Sequence, residues 1–177
     1  DGSNTTAVVS ANTDAGISIV TYTGNGVTGQ TMGHGLSQQP DTIFIKNRSG
    51  SYNWSVWHKN TSGLNYNLYL NGSDAQQADG SYQSVSSTTF GVSNGESVGF
   101  NSNNYVAYVF HEVEGFSSFG GYTGNGNADG PFIYTGFRPA FVLVKKTSAA
   151  ENWSLADSDR SPFNVSQAGL QPSVPNA

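Results

Sequence analysis

The sequence predicts an all-β protein: an antiparallel, jelly-roll-like β-sandwich carrying one copy, and part of a second, of a repeated unit. Three observations predict it. Short runs rich in Val, Ile, Phe, Tyr, Trp and Thr recur along the chain. Turn-forming tracts such as Gly-Asn-Gly, Ser-Gly-Ser, Asn-Gly-Ser and Asn-Ala-Asp-Gly separate them, and no segment sustains an apolar stripe at helical spacing. Many short strands without alternating helices favour a sandwich over an α/β fold.

The predicted strands follow in order. Ile17 to Tyr22 and Thr42 to Lys46 are dense in β-branched and aromatic residues. Trp54 to Trp57 and Asn67 to Leu70 are shorter, with Asn, Gly and Ser on their flanks. Thr89 to Val92 precedes another turn tract. The run Tyr105 to Val109, continued by Phe110 and His111, is apolar on both faces, which predicts a central strand covered on each side. Phe132 to Tyr134, Phe141 to Lys145 and Trp153 to Leu155 complete the set.

The repeat appears when Tyr22-Thr23-Gly24-Asn25-Gly26 is laid on Tyr122-Thr123-Gly124-Asn125-Gly126, an offset of 100 residues. One residue out of step, Pro40 and Ile43-Phe44-Ile45-Lys46 then answer Pro139 and Val142-Leu143-Val144-Lys145, and Asn53-Trp54-Ser55 answers Asn152-Trp153-Ser154. Residues 1–115 are read as the first repeat with an N-terminal lead-in, and residues 116–177 as a partial second repeat. A part-copy cannot easily bury its own apolar face. It is expected to pack on the first copy or on a neighbouring chain, within a longer parent protein.

Composition narrows the function. The 177 residues include 10 Phe, 9 Tyr and 3 Trp in a 36% hydrophobic chain, enough for a packed core. Only 11% are charged and the net charge is -5 with no run of Lys or Arg, which argues against a nucleic-acid partner. There is no cysteine, so disulfides and thiolate metal sites are excluded. No stretch approaches the roughly 20 apolar residues of a membrane helix, and Asp1 to Thr6 do not have the pattern of a signal peptide. Membrane insertion is not expected. Low charge also leaves strand edges poorly guarded, which favours a homo-oligomer, a trimer above all.

Candidate chemistry is sparse, and no catalytic residue is assigned. His34, His58 and His111 lie in no nucleophile or metal signature, and His34 sits between turn glycines. Glu112 and Glu114 alternate along a strand end and so share a face, as a glycosidase pair would; two acids beside a turn more often keep a sheet edge solvated. Asp157 and Asp159 alternate likewise, with Arg160 beside them as an ion-pair or turn partner. Asn125, Asn127 and Asp129 fit the first half of a calcium loop that lacks its closing Glu. No cofactor is expected. Aromatics among amide-rich loops, Tyr52, Trp54, Trp57, Tyr66 and Trp153, form the candidate glycan-contact set, since flat rings stack on sugars; aromatics at strand spacing also serve as core.

The duplicated motif Asp14-Ala15-Gly16-Ile17-Ser18-Ile19-Val20-Thr21-Tyr22-Thr23-Gly24-Asn25-Gly26, followed by Gly33-His34-Gly35-Leu36, Pro40 and Ile45-Lys46-Asn47-Arg48, resembles a repeat domain of marine bacteriophage virion proteins, cyanophages included. Tyr105-Val106-Ala107-Tyr108, Glu112-Val113-Glu114-Gly115 and the stretch Gly130 to Ala140 are similar to that family too. The resemblance implies a non-catalytic module of a tail fibre, head fibre or capsid decoration. It would sit on the virion surface and contact other virion proteins or a host surface glycan. A carbohydrate-binding module of a secreted bacterial protein is the alternative.

Overall fold

The computed structural model describes residues 2–160, 162 and 169–174. Eleven strands form in chain order: β1 Val8–Asn12, β2 Ile17–Thr23, β3 Gln30–Gly33, β4 Thr42–Asn47, β5 Trp54–His58, β6 Leu68–Tyr69, β7 Tyr82–Val85, β8 Thr89–Val92, β9 Asn104–Phe110, β10 Phe141–Val144 and β11 Ser154–Asp157. Among the described residues there is no helix. Every strand pairing is antiparallel.

A six-stranded sheet of order β1-β2-β9-β4-β5-β6 faces a three-stranded sheet of order β3-β8-β7, giving an all-β sandwich. The period of two selects what lies inside. In β2, Ser18, Val20 and Tyr22 are buried while Ile17, Ile19 and Thr21 turn outward. Val20 and Tyr22, Ile43 and Ile45, and Tyr105, Ala107 and Val109 pack on Met32, Tyr82, Phe90 and Val92 of the smaller sheet. Two tyrosines tie the core to backbone. The Tyr22 hydroxyl donates to the Val98 carbonyl at 2.5 Å, and the Tyr82 hydroxyl lies 3.1 Å from the Ser55 carbonyl and 3.2 Å from that of Ile43, linking the two sheets. Burial pushes both phenols above their ordinary pKa, so they stay protonated donors.

Strand β9 organises the large sheet. It pairs with β2 on one side and β4 on the other, and those two strands meet only through it. The double-faced apolar character of Tyr105 to Phe110 matches this central place: Tyr105, Ala107 and Val109 are buried in the core, and Val106, Tyr108 and Phe110 are half-buried on the outer face.

The second copy forms a separate hairpin, β10–β11. Its register is that of β4–β5: Val142 lies opposite Ala156 and Leu143 opposite Leu155, where Ile43 lies opposite Trp57 and Phe44 opposite Val56. Leu170 bridges Leu155 as Leu68 pairs with Val56. Even a local polar contact recurs. The Trp54 amide donates to Asn71 Oδ1 at 2.9 Å, and the Trp153 amide to Ser173 Oγ at 3.2 Å. The hairpin docks on the outside of the first copy, where Leu143 and Trp153 pack with Phe44, Val56, Leu68 and Leu70. The Trp153 indole N–H donates to the Tyr69 carbonyl at 2.8 Å.

The structure corrects the strand reading in two ways. Phe132 to Tyr134 is irregular, with Phe132 88% and Tyr134 82% exposed. Its strand propensity goes unused because no strand lies beside it among the described residues, whereas β3 of the first copy is held by β8. Conversely, β1, β3 and β7 form without a strong local signal. All five residues of β1 are exposed, and it exists as an edge strand on β2.

Candidate functional site

The outer face of the large sheet carries an apolar row in register: Ile19, Tyr108, Phe44, Val56 and Leu68 stand opposite one another on successive strands. The second copy covers the Val56 and Leu68 end. Phe119 covers part of β9, its ring 6.1 Å from that of Phe110. The other end stays open. Tyr108, opposite Ile19, which is 40% exposed, reaches back over β4 to Trp54 of β5; both rings are half-buried and stack at 6.2 Å with 25° between their planes. A paired aromatic surface of this kind can receive the apolar face of a sugar ring.

The five candidate glycan residues do not converge. Trp54 alone belongs to this platform. Trp57 is 5% exposed and faces the core beside Tyr82, and Trp153 is 5% exposed inside the contact between copies, so both are corrected to packing residues. Trp54 and Trp57 are three residues apart on one strand and therefore point to opposite faces. Tyr52 is half-buried over Gly50, its hydroxyl 3.5 Å from Glu96 Oε1, and Tyr66 is half-buried in the loop before β6. Tyr108 was not singled out from sequence. Its signal was alternation with Tyr105, which places it on the outward face.

The histidines and most of the acids are held by neighbouring groups. His34 is fully buried; its Nδ1 accepts the Leu36 amide at 3.1 Å, and Nε2 lies 3.2 Å from the Ser86 carbonyl and carries the proton. Burial holds its pKa below the ordinary value. His111 is buried, with Nδ1 2.7 Å from the Glu112 carbonyl, and His58 Nδ1 accepts the Asn60 amide. Glu112 is engaged three times: Oε2 lies 3.8 Å from Lys59 Nζ and accepts from Ser118 Oγ and the Phe119 amide, both at 3.2 Å. Lys59 also meets Asp41 at 3.0 Å, so this cluster joins the first copy to the start of the second. Glu114 is exposed beyond it. Asp157 is held by the Arg160 amide at 2.9 Å and its guanidinium at 2.8 Å, which keep its carboxyl below the usual range.

The Asn125 to Asp129 loop folds on itself. Asn125 Oδ1 accepts the Asn127 amide at 3.0 Å, Asn127 Oδ1 accepts the Asp129 amide at 3.1 Å, and Asn125 Nδ2 donates to the Asp129 carbonyl at 2.9 Å. These Asx turns engage the side-chain oxygens of Asn125 and Asn127, and Asp129 supplies the only carboxylate in the loop. No group of three or more His, Cys, Asp or Glu is arranged to hold a metal among the described residues, and no described helix is long and apolar enough to cross a membrane.

Fold and surface together define a two-sheet antiparallel β protein with a hairpin of a second copy docked on its back. The chain belongs to the family described as a domain of unknown function, DUF7483, whose model matches residues 1–177. No curated protein and no solved structure matches it.

Proposed function

We propose that the chain is a non-catalytic structural module of a bacteriophage particle, part of a tail fibre, head fibre or capsid decoration, that mediates host-surface attachment or virion assembly. The observation that carries this reading is the apolar surface on the second copy. Phe132, Tyr134 and Phe141 are 88%, 82% and 59% exposed, a pattern suited to contact with another protein. A module that repeats along a chain or around a symmetry axis can turn weak single contacts into firm attachment. The resemblance of the duplicated motif to virion repeat domains supports the setting, and the engagement of Glu112 in the Lys59 and Asp41 cluster supports the absence of catalysis. In this reading the module acts as a homo-oligomer, a trimer, on the virion surface.

The test is the solution mass by light scattering, followed by co-sedimentation with phage particles. A trimer that sediments with particles supports the proposal, and a monomer that does not sediment with them removes it. The second reading, a carbohydrate-binding module of a secreted bacterial protein, is favoured by the Trp54 and Tyr108 stack. It requires the monomer alone to be retained on a polysaccharide.

A further inference from the structure

In the first copy, the Tyr22 to Gly26 motif receives the loop that leads into β9. The Gly24 amide donates to the Asn103 carbonyl at 2.8 Å, the Gly24 carbonyl accepts the Ser102 amide at 2.9 Å, and the Gly26 amide donates to the Gly99 carbonyl at 3.2 Å. The approach is so close that a Cβ on Gly24 would lie 2.3 Å from the Phe100 carbonyl oxygen. Strand β9 then runs between β2 and β4, with Tyr105 opposite Tyr22, and Ala107 and Val109 opposite Ile45 and Ile43.

The second copy reproduces the turn and the β4–β5 hairpin of this arrangement, while residues 117–123, the counterpart of β2, form no strand. Asn125 forms the same turn as Asn25, and Gly126 has φ 71° where Gly26 has φ 72°. The hairpin β10–β11 has the register of β4–β5. What the first copy gains from the β9 segment has no counterpart among the described residues. A Cβ on Gly124 or Gly126 would meet nothing within 4 Å, and β10 pairs with β11 alone. Tyr122 is 56% and Val142 42% exposed, where their counterparts Tyr22 and Ile43 are 3% and 0%.

We propose that the second copy is an acceptor for a β9-type strand donated by a further repeat unit of the same kind. The donor has an extended segment whose inward positions alternate as Tyr105, Ala107 and Val109 do, preceded by a loop like Gly99 to Asn103. Its loop docks on Gly124 to Gly126, its backbone pairs with the open edge of β10, and its apolar face covers Val142 and Val144. Strand addition of this kind draws affinity from main-chain hydrogen bonds and specificity from alternate side chains. An unpaired strand edge beside exposed apolar side chains is a surface that such a strand can cover. The inference rests on comparison of the two copies and does not depend on the virion reading.

The experiment adds a synthetic peptide of residues 99–112 to the full chain and follows amide hydrogen exchange by mass spectrometry. Exchange over residues 120–126 and 140–145 is expected to slow about tenfold, the effect of one or two added backbone hydrogen bonds. A peptide with Tyr105, Ala107 and Val109 replaced by Asp gives no slowing. Val142→Asp in the chain, tolerated at an exposed position, abolishes it. The proposal is overturned if neither segment slows at the solubility limit of the peptide, or if the Asp-bearing peptide protects equally. It is also overturned if, in the absence of peptide, protection of residues 140–145 alone grows with protein concentration while residues 120–126 stay unprotected, because the occupant is then the β10 edge of a second copy.

Discussion

Tyr22 and Tyr122 stand in the same pentapeptide a hundred residues apart, and one is closed in the sandwich core at 3% exposure while the other is 56% exposed. The Tyr22 ring stacks on Tyr105 at 5.1 Å and its hydroxyl reaches Val98. A central strand and a facing sheet make that difference, and it sets the first expectation. Tyr22→Ala should destabilise the chain by about 3–5 kcal/mol, whereas Tyr122→Ala should stay within about 0.5 kcal/mol. Denaturation midpoints of the two variants measure the contrast, and equal losses would contradict it.

Glycines of the same motif should show the same contrast. Gly24→Ala places a methyl against the Phe100 carbonyl and should cost about 1–3 kcal/mol, since rigid backbone is the obstacle. Gly124→Ala meets open space and should leave the denaturation midpoint nearly unchanged.

Trp153 anchors the second copy. Trp153→Ala removes the indole bond to Tyr69 and opens the cluster with Val56 and Leu68, so amides of β10 and β11 should exchange faster by at least tenfold. The β2–β9–β4 amides should keep their protection, because that core lies on the other face of the sheet. Loss of protection throughout would mean that the hairpin is needed for the sandwich itself.

Stability should fall on mild acidification. Burial lowers the native pKa of His34 below its unfolded value of 6.5, so below that pH the unfolded chain takes up a proton that the native state refuses. The contribution is whole above about pH 6.5. It declines as the pH drops, by up to about 1.4 kcal/mol per unit, until the native pKa is passed. His34→Gln should flatten this dependence in urea titrations at several pH values; His58, shifted the same way by burial and by Lys59, keeps a residual slope.

Trp54 is the residue to change for ligand contact. Trp54→Ala loses a stacked pair on the solvent face and should cost only about 0.5–1.5 kcal/mol of stability while abolishing retention on a glycan column. Retention equal to that of the parent chain would exclude the platform.

Much of the sandwich was legible in the sequence where local preference and final environment agree. Thr89 to Val92 forms a strand over those four residues, and the run after Asn104 takes the central place its double-faced composition announces. Legibility failed where another segment decides. Gln30 to Gly33 has little strand preference but lies against β8, while Phe132 to Tyr134 has ample preference and no strand beside it among the described residues. In the candidate site, the spacing of Trp54 and Trp57 already separates them between faces, yet the meeting of Trp54 with Tyr108 depends on β4 lying between β5 and β9.

The all-β class, the turn tracts and the repeat are legible in the sequence alone, because they follow from side-chain composition and from turn residues read locally. That identical motifs are core in one copy and surface in the other follows from the three-dimensional arrangement. Burial is conferred by strands distant in sequence, and a segment's own residues do not say whether such a strand will lie beside it.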